Sequence, residues 1–117
     1  MGCKAPESRA VMWVLRSRDR REEVVWRLLP GAVKTVGRSR QADFAIDAPL
    51  LSRLHCRLTA SPADGLTVED LSSTNGTFVN ERRVRTGALA PGDCLRIGRL
   101  ELTVEWVDSA EDTRRSS

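Results

Sequence analysis

Short runs of alternating apolar and polar residues, each cut by turn chemistry, fill the chain from residue 12 onward. Trp13 and Leu15 alternate with Val14 and Arg16. The charged run SRDRREE then intervenes, and Val24, Trp26 and Leu28 resume the period of two, which predicts a hairpin with a solvated tip. Pro30-Gly31 marks the next turn, Val33 to Val36 another strand, and Phe44 to Ile46 a brief one that ends before Ala48-Pro49. Leu54, Cys56 and Leu58 alternate, Ala63-Asp64-Gly65 turns, and Leu66 and Val68 alternate with Thr67 and Glu69. Strands are expected again at Thr77 to Val79, briefly at Val84, at Leu95 and Ile97 beyond the Pro91-Gly92-Asp93 turn, and from Leu100 through Leu102 and Val104 to Trp106.

No window of eleven or more residues keeps a helical period, and the turns recur too often for helices. The pattern predicts an all-β fold, a sandwich or barrel of many short strands. Residues 1–11, MGCKAPESRAV, are aperiodic and hold Pro6, so they read as a flexible arm, with Met12 as an alternative start. Residues 12–107 form the domain, and 108–117, polar and aperiodic, read as a disordered tail.

The 117 residues suffice for one domain with one core. No apolar run approaches the roughly 18 residues of a membrane span, and no signal peptide is evident. A soluble, cytoplasmic protein is expected, or a nuclear one in a eukaryote. The opening Met-Gly lacks the Ser or Thr that myristoylation wants where Pro6 stands. Cys3, Cys56 and Cys94 are odd in number and lack a C-x-x-C pair, which argues against a disulfide framework or a zinc site. No metal or cofactor is implied, and Cys56, alternating with Leu54 and Leu58, reads as a core thiol.

Net charge is only +3, but lysine occurs just at Lys4 and Lys34, so 17 of the 19 basic residues are arginine. Arginine's planar fork of donors suits bidentate contact with phosphate or carboxylate. Three polar clusters fall at turns: Gly37-Arg38-Ser39, Ser52-Arg53-Leu54-His55, and Ser73-Thr74-Asn75-Gly76 within the stretch DLSSTNGTFVN. Singly each is ordinary turn chemistry, down to the Asn-Gly hairpin signal. Together they offer two guanidinium groups, small hydroxyls and an amide, the donors that a doubly charged, oxygen-rich anion requires.

GR at 37 and 38, S-R-x-H from 52 to 55, S-T-N-G-T from 73 to 77 with Asn80 following, and P-G-D-C-L-R-I-G from 91 to 98 resemble, in order and spacing, the signature of the forkhead-associated (FHA) domain. The resemblance covers roughly residues 12–107 and implies a β-sandwich of two mainly antiparallel sheets, usually eleven strands, whose loops at one end bind phosphothreonine peptides. It implies that Arg38 contacts the phosphate, that Ser52 donates its hydroxyl to it, and that Arg53 and Thr74 add contacts. Asn75 is expected to bond the peptide backbone after the phosphothreonine, so that the hydroxyls and amide of the 72–75 turn face the ligand. Gly37, His55, Gly76 and Asn80 support the site. Selection at the third residue after the phosphothreonine falls to Leu50, favouring an apolar partner, or to Arg99, favouring an acidic one. The expected partners are a phosphothreonine-containing protein and an upstream Ser/Thr kinase, with no membrane.

Other readings compete with this one. Gly31 to Gly37 has the wrong spacing for a P-loop and Arg38 stands where its lysine would be. A Ser52-His55-Asp70 triad lacks the G-x-S-x-G setting of a nucleophile elbow, so no enzyme is expected. Nucleic-acid binding draws support from Arg82, Arg83 and Arg85 and from the arginines of the first hairpin, but acids intersperse them and no aromatic platform is evident, the tryptophans fitting the core. A phosphate-independent contact through a sheet face is the third reading. In the tail, Thr113 among Glu111, Asp112 and Arg114 resembles a kinase acceptor that would occupy the site of its own or a second copy.

Overall fold

In the computed structural model, residues 11–18, 24–48, 50–61 and 65–108 are described. Residues 1–10 of the arm, residues 109–117 of the tail with Thr113, and most of the first hairpin's charged tip lie outside them, while Val11 and Asp108, expected in the arm and the tail, pair with each other at the ends of β1 and β11. The described residues form eleven strands: β1 (Val11–Ser17), β2 (Val25–Leu28), β3 (Val33–Gly37), β4 (Phe44–Ala45), β5 (Cys56–Ser61), β6 (Gly65–Asp70), β7 (Thr77–Val79), β8 (Arg82–Val84), β9 (Thr86–Leu89), β10 (Cys94–Ile97) and β11 (Leu100–Asp108). Six of them make one sheet, β2-β1-β11-β10-β7-β8, and five the other, β4-β3-β5-β6-β9. Every pairing is antiparallel except that of β3 with β4. The fold is therefore an all-β sandwich, and no helix of the described residues is long and apolar enough to cross a membrane.

Successive side chains point to opposite faces, which sets the buried face of β5, β6 and β10, whereas in β1 Met12, Trp13, Val14 and Leu15 are all buried. In β5, Cys56, Leu58 and Ala60 are fully buried while Arg57, Thr59 and Ser61 are half-buried. Register aligns like with like: Leu58 faces Val68 and Ala60 faces Leu66 across β5 and β6, and Leu95 faces Leu102 across β10 and β11. With Leu15, Trp26, Val36 and Val104 these side chains form the core between the sheets. Burial pushes the Cys56 thiol up to about 12, with the Asp70 charge adding to the effect. That thiol is inert packing.

Three local expectations change. β9 was not foreseen: TGAL is poor in strand formers, yet it pairs along β6 with Leu89 buried opposite Leu66, so tertiary context overrides propensity. Leu54 does not belong to β5; the chain bends at Arg53 and Leu54, leaving Leu54 42% exposed. Trp106 is 43% exposed, its ring 4.6 Å from that of Trp13, so only two of the three tryptophans fill the core.

The pairings also fix where the loops meet. Val36 pairs with Cys56 and Cys56 with Asp70, so the end of β3, the start of β5 and the end of β6 share one end of their sheet. Residues 71–76 cross from there to β7 in the other sheet; they are a link between sheets rather than a hairpin turn. At that same end Thr77 pairs with Ile97, which places the β10–β11 turn beside the start of β7.

If the register is right, Leu58→Ala lowers stability in urea titration by about 2–5 kcal/mol, whereas Leu54→Ala stays within about 0.5 kcal/mol. Equal losses at the two positions would show that Leu54 is packed after all.

Candidate functional site

Backbone closeness at Gly37 builds one side of the site. A Cβ there would stand 1.9 Å from the carbonyl oxygen of Arg53, so only glycine lets the two segments touch. Hydrogen bonds then extend the β3–β5 contact past the strand ends: His55 N–H donates to Val36 O at 2.7 Å, Arg38 N–H to Ser52 O at 3.0 Å and Ser39 N–H to Arg53 O at 3.1 Å. Arg38 and Ser52 are neighbours for that reason. The Arg38 Nε–H donates to Leu51 O at 2.9 Å, which holds the guanidinium in place by one of its five donors and leaves both Nη groups for other partners.

His55, with no exposed surface, joins this side to the 71–76 loop. Its Nδ1 accepts the Ser52 N–H at 3.1 Å, which fixes the proton on Nε2, and Nε2–H donates to Gly76 O at 2.8 Å. Leu71 N–H donates to His55 O at 2.9 Å, and Thr74 N–H to the Ser52 hydroxyl oxygen at 3.0 Å. With a lone pair of Ser52 Oγ so engaged, its own O–H stays available to donate elsewhere. The 71–76 loop is shaped by positive φ at Ser72 (58°) and Gly76 (91°), the second a conformation that favours glycine.

Asp70 braces the loop from below. Its carboxylate accepts the hydroxyls of Ser73 and Thr77 and the Ser73 N–H, and the Ser73 oxygen accepts Gly76 N–H at 3.0 Å. Burial pushes the Asp70 carboxyl up, but the side-chain bonds from Ser73 and Thr77, the Ser73 backbone bond and the nearby His55 outweigh it and hold the pKa below its ordinary 3.8. A third link comes from Asn75, whose amide donates to Leu50 O at 2.9 Å while Leu50 sits at a φ of 70°.

The result is an open groove of about 680 Å³ lined by Arg38, Asp47, Ala48, Leu50, Leu51, Ser52, Arg53, Thr74 and Asn75. Arg38, Ser52, Arg53, Thr74 and Asn75 thus share one surface, with Gly37, His55 and Gly76 as the backbone and buried bonds beneath it. Asn80 lies apart, in the β7–β8 turn at a φ of 50°, where its side-chain oxygen accepts Cys94 N–H at 3.0 Å and braces that turn against β10. Leu50 lines the groove and Arg99 is not among its lining residues.

The 72–75 hydroxyls do not all face one way. Ser73 is only 8% exposed and turned onto Asp70; of this turn, only Thr74 and Asn75 line the groove. Nor do Ser52, His55 and Asp70 form a relay, because both histidine nitrogens are spent on Ser52 N–H and Gly76 O. Asp47, Ala48 and Leu51 line the groove without having been singled out from sequence, since no motif separates them from ordinary loop residues. Asp70 as a brace was also missed; its one signal is the clustering of Ser73 and Thr77 just after it.

The FHA domain family model matches residues 34–98, over half of the chain. This chain is a forkhead-associated domain. Among curated relatives, the FHA domain is 43% identical over 75 residues to the ABC transporter ATP-binding/permease protein Rv1747 of Mycobacterium tuberculosis, a match covering 64% of this chain and 8% of that protein. It is 35% identical over 75 residues to the glycogen accumulation regulator GarA of Mycobacterium tuberculosis, covering 64% of this chain and 46% of that one. The chain thus spans less than a tenth of the first and under half of the second. A solved structure from work on phosphothreonine-dependent FHA domain interactions superposes with a TM-score of 0.72 at 31% identity, covering 80% of this chain and 95% of that one.

Two consequences are measurable. Gly37→Ala must push Arg53 away, at a cost of about 1–3 kcal/mol in overpacking, read as a lowered urea midpoint; an unchanged midpoint would refute the close approach. Because Asp70 has a depressed pKa in the folded state, its stabilisation is full above the unfolded value near 3.8 and is lost as pH falls through the lower folded value. Asp70→Asn is therefore less stable at neutral pH and has a flatter stability profile from about pH 5 to about pH 2. Parallel profiles for the two proteins would contradict the role of Asp70.

Proposed function

We propose that the groove at the loop end of the sandwich binds a phosphothreonine within a partner peptide, and that residues 12–107 are the unit that does so. The arrangement of Arg38 beside Ser52 carries this reading. One arginine nitrogen is tied to Leu51 O while the Nη groups remain, and the Ser52 hydroxyl, already accepting from Thr74, keeps its proton to donate. A phosphate dianion takes such charge-assisted bonds well. Neither Arg38 nor Arg53 pairs with a carboxylate among the described residues, so both charges are available to a ligand.

The remaining residues take supporting roles. Arg53 and Thr74 add contacts to the phosphate from either side, and Asn75, anchored to Leu50 O, offers its oxygen and second N–H to the peptide backbone that follows. Ala48 and Leu51, both nearly buried in the groove wall, supply apolar surface for the threonine methyl. One buried methyl is worth about 0.8 kcal/mol, so preference over phosphoserine depends on close packing there. The protein acts as a non-catalytic, intracellular adaptor read after a Ser/Thr kinase has marked its partner.

The test is calorimetric titration with one peptide set carrying threonine, phosphoserine or phosphothreonine. Only the phosphothreonine form binds well, and Arg38→Ala, folded by circular dichroism, loses about 2–5 kcal/mol of binding. Phosphothreonine affinity retained in that variant would refute the assignment.

A further inference from the structure

A second groove lies on the other flank of the loop that carries Thr74 and Asn75. It measures about 590 Å³ and is lined by Asp70, Ser72, Ser73, Arg83, Val84 and Arg85. We infer that this groove is a second anion subsite, taking a carboxylate or a second phosphate of the same peptide; the inference rests on the phosphothreonine reading of the first groove.

Two exposed arginines, Arg83 and Arg85, line it, and neither pairs with a carboxylate among the described residues. Arg83, paired in register with Phe78, lies across the 71–76 loop: a Cβ at Gly76 would be 2.8 Å from its Nε. The same Gly76 presents its carbonyl to His55, so one loop forms a wall of both grooves. Arg85 is held beside that loop by its carbonyl, which accepts Asp70 N–H at 2.8 Å. Ser72, exposed at a φ of 58°, adds a hydroxyl with no hydrogen bond among the described residues.

Asp70 is the one acid in the lining, and its single negative charge offsets only one of the two arginines. Its oxygens are occupied by Ser73 and Thr77, and no arginine reaches it within ion-pair distance. Two guanidinium groups against one saturated carboxylate leave a positive groove. A nucleic acid fits it less well than a peptide does. No aromatic residue lines it, so no ring there offers a base a stacking platform.

The experiment titrates the full chain and an Arg83→Gln/Arg85→Gln variant with phosphothreonine peptides of four kinds: neutral flanks, three glutamates before the phosphothreonine, three after it, and a second phosphothreonine in place of those glutamates. Arginine Nε–Hε NMR signals of Arg38, Arg83 and Arg85 report each groove separately. Acidic residues on one side are expected to tighten binding about tenfold and the second phosphate at least as much. The variant should lose that gain while binding the neutral peptide as before. An equal gain in the variant, or silent Arg83 and Arg85 signals with Arg38 shifting, overturns the second subsite. If Arg83 and Arg85 shift with the glutamate peptides while Arg38 stays silent, the second groove stands as an anion site and the reading of the first groove fails. A single-stranded oligonucleotide that shifts Arg83 and Arg85 at lower concentration than any peptide also overturns the proposal, in favour of nucleic acid.

Discussion

The functional end of this sandwich depends on one buried histidine with both ring nitrogens engaged. His55 takes a proton bond from Ser52 on one side and gives one to Gly76 on the other, so two loops from different parts of the chain share a single rigid planar group. A buried polar group left unpaired costs about 1–3 kcal/mol, and each half of this bridge therefore enforces the other. Removing either partner would leave a ring nitrogen unmatched in the interior. The tautomer follows from the bonds, and with it the spacing between Ser52 and the 71–76 loop.

Around that bridge the site is built mostly of backbone. Gly37 lets β3 run against Arg53, three main-chain bonds carry the pairing beyond the strands, and the loop from 71 to 76 is pinned by Asp70 through hydroxyls rather than by apolar packing. Such a network leaves few soft degrees of freedom, so a ligand pays little to organise it. It also separates roles cleanly. Asp70, Ser73, Thr77 and His55 are spent on holding shape, while Arg38, Ser52, Thr74 and Asn75 each retain an unused donor or acceptor toward the groove. Asp47 shares a smaller recess of about 280 Å³ with Arg38, Ser39 and Arg53.

Much of the fold was legible because period-two alternation maps onto buried and exposed faces: Leu66 and Val68, Leu95 and Ile97, and Leu102 and Val104 all lie in the core, although in β1 Val14 is buried along with Trp13 and Leu15. What escaped was set by tertiary context. β9 is written TGAL, and only its seat on β6 makes it a strand; Leu54 continues the alternation on paper but falls on a bend imposed by the Gly37–Arg53 approach. For the site, spaced motifs pointed to residues that the loops do gather, because glycine, serine and asparagine at turns carry backbone geometry in their identity. Direction was not legible. Nothing in Ser72-Ser73-Thr74 says that the middle hydroxyl turns inward to Asp70 while its neighbours flank two different grooves, since that depends on a crossing between sheets that local sequence does not encode.

A crystal structure of the protein with a phosphothreonine peptide tests most directly whether these loops form a preorganised phosphate site held by His55. Phosphate oxygens are expected within hydrogen-bond distance of the Arg38 Nη groups and the Ser52 hydroxyl, with the His55 bonds to Ser52 and Gly76 unchanged. A phosphate seated elsewhere, or a complex in which either histidine bond has broken to admit the peptide, would contradict that arrangement.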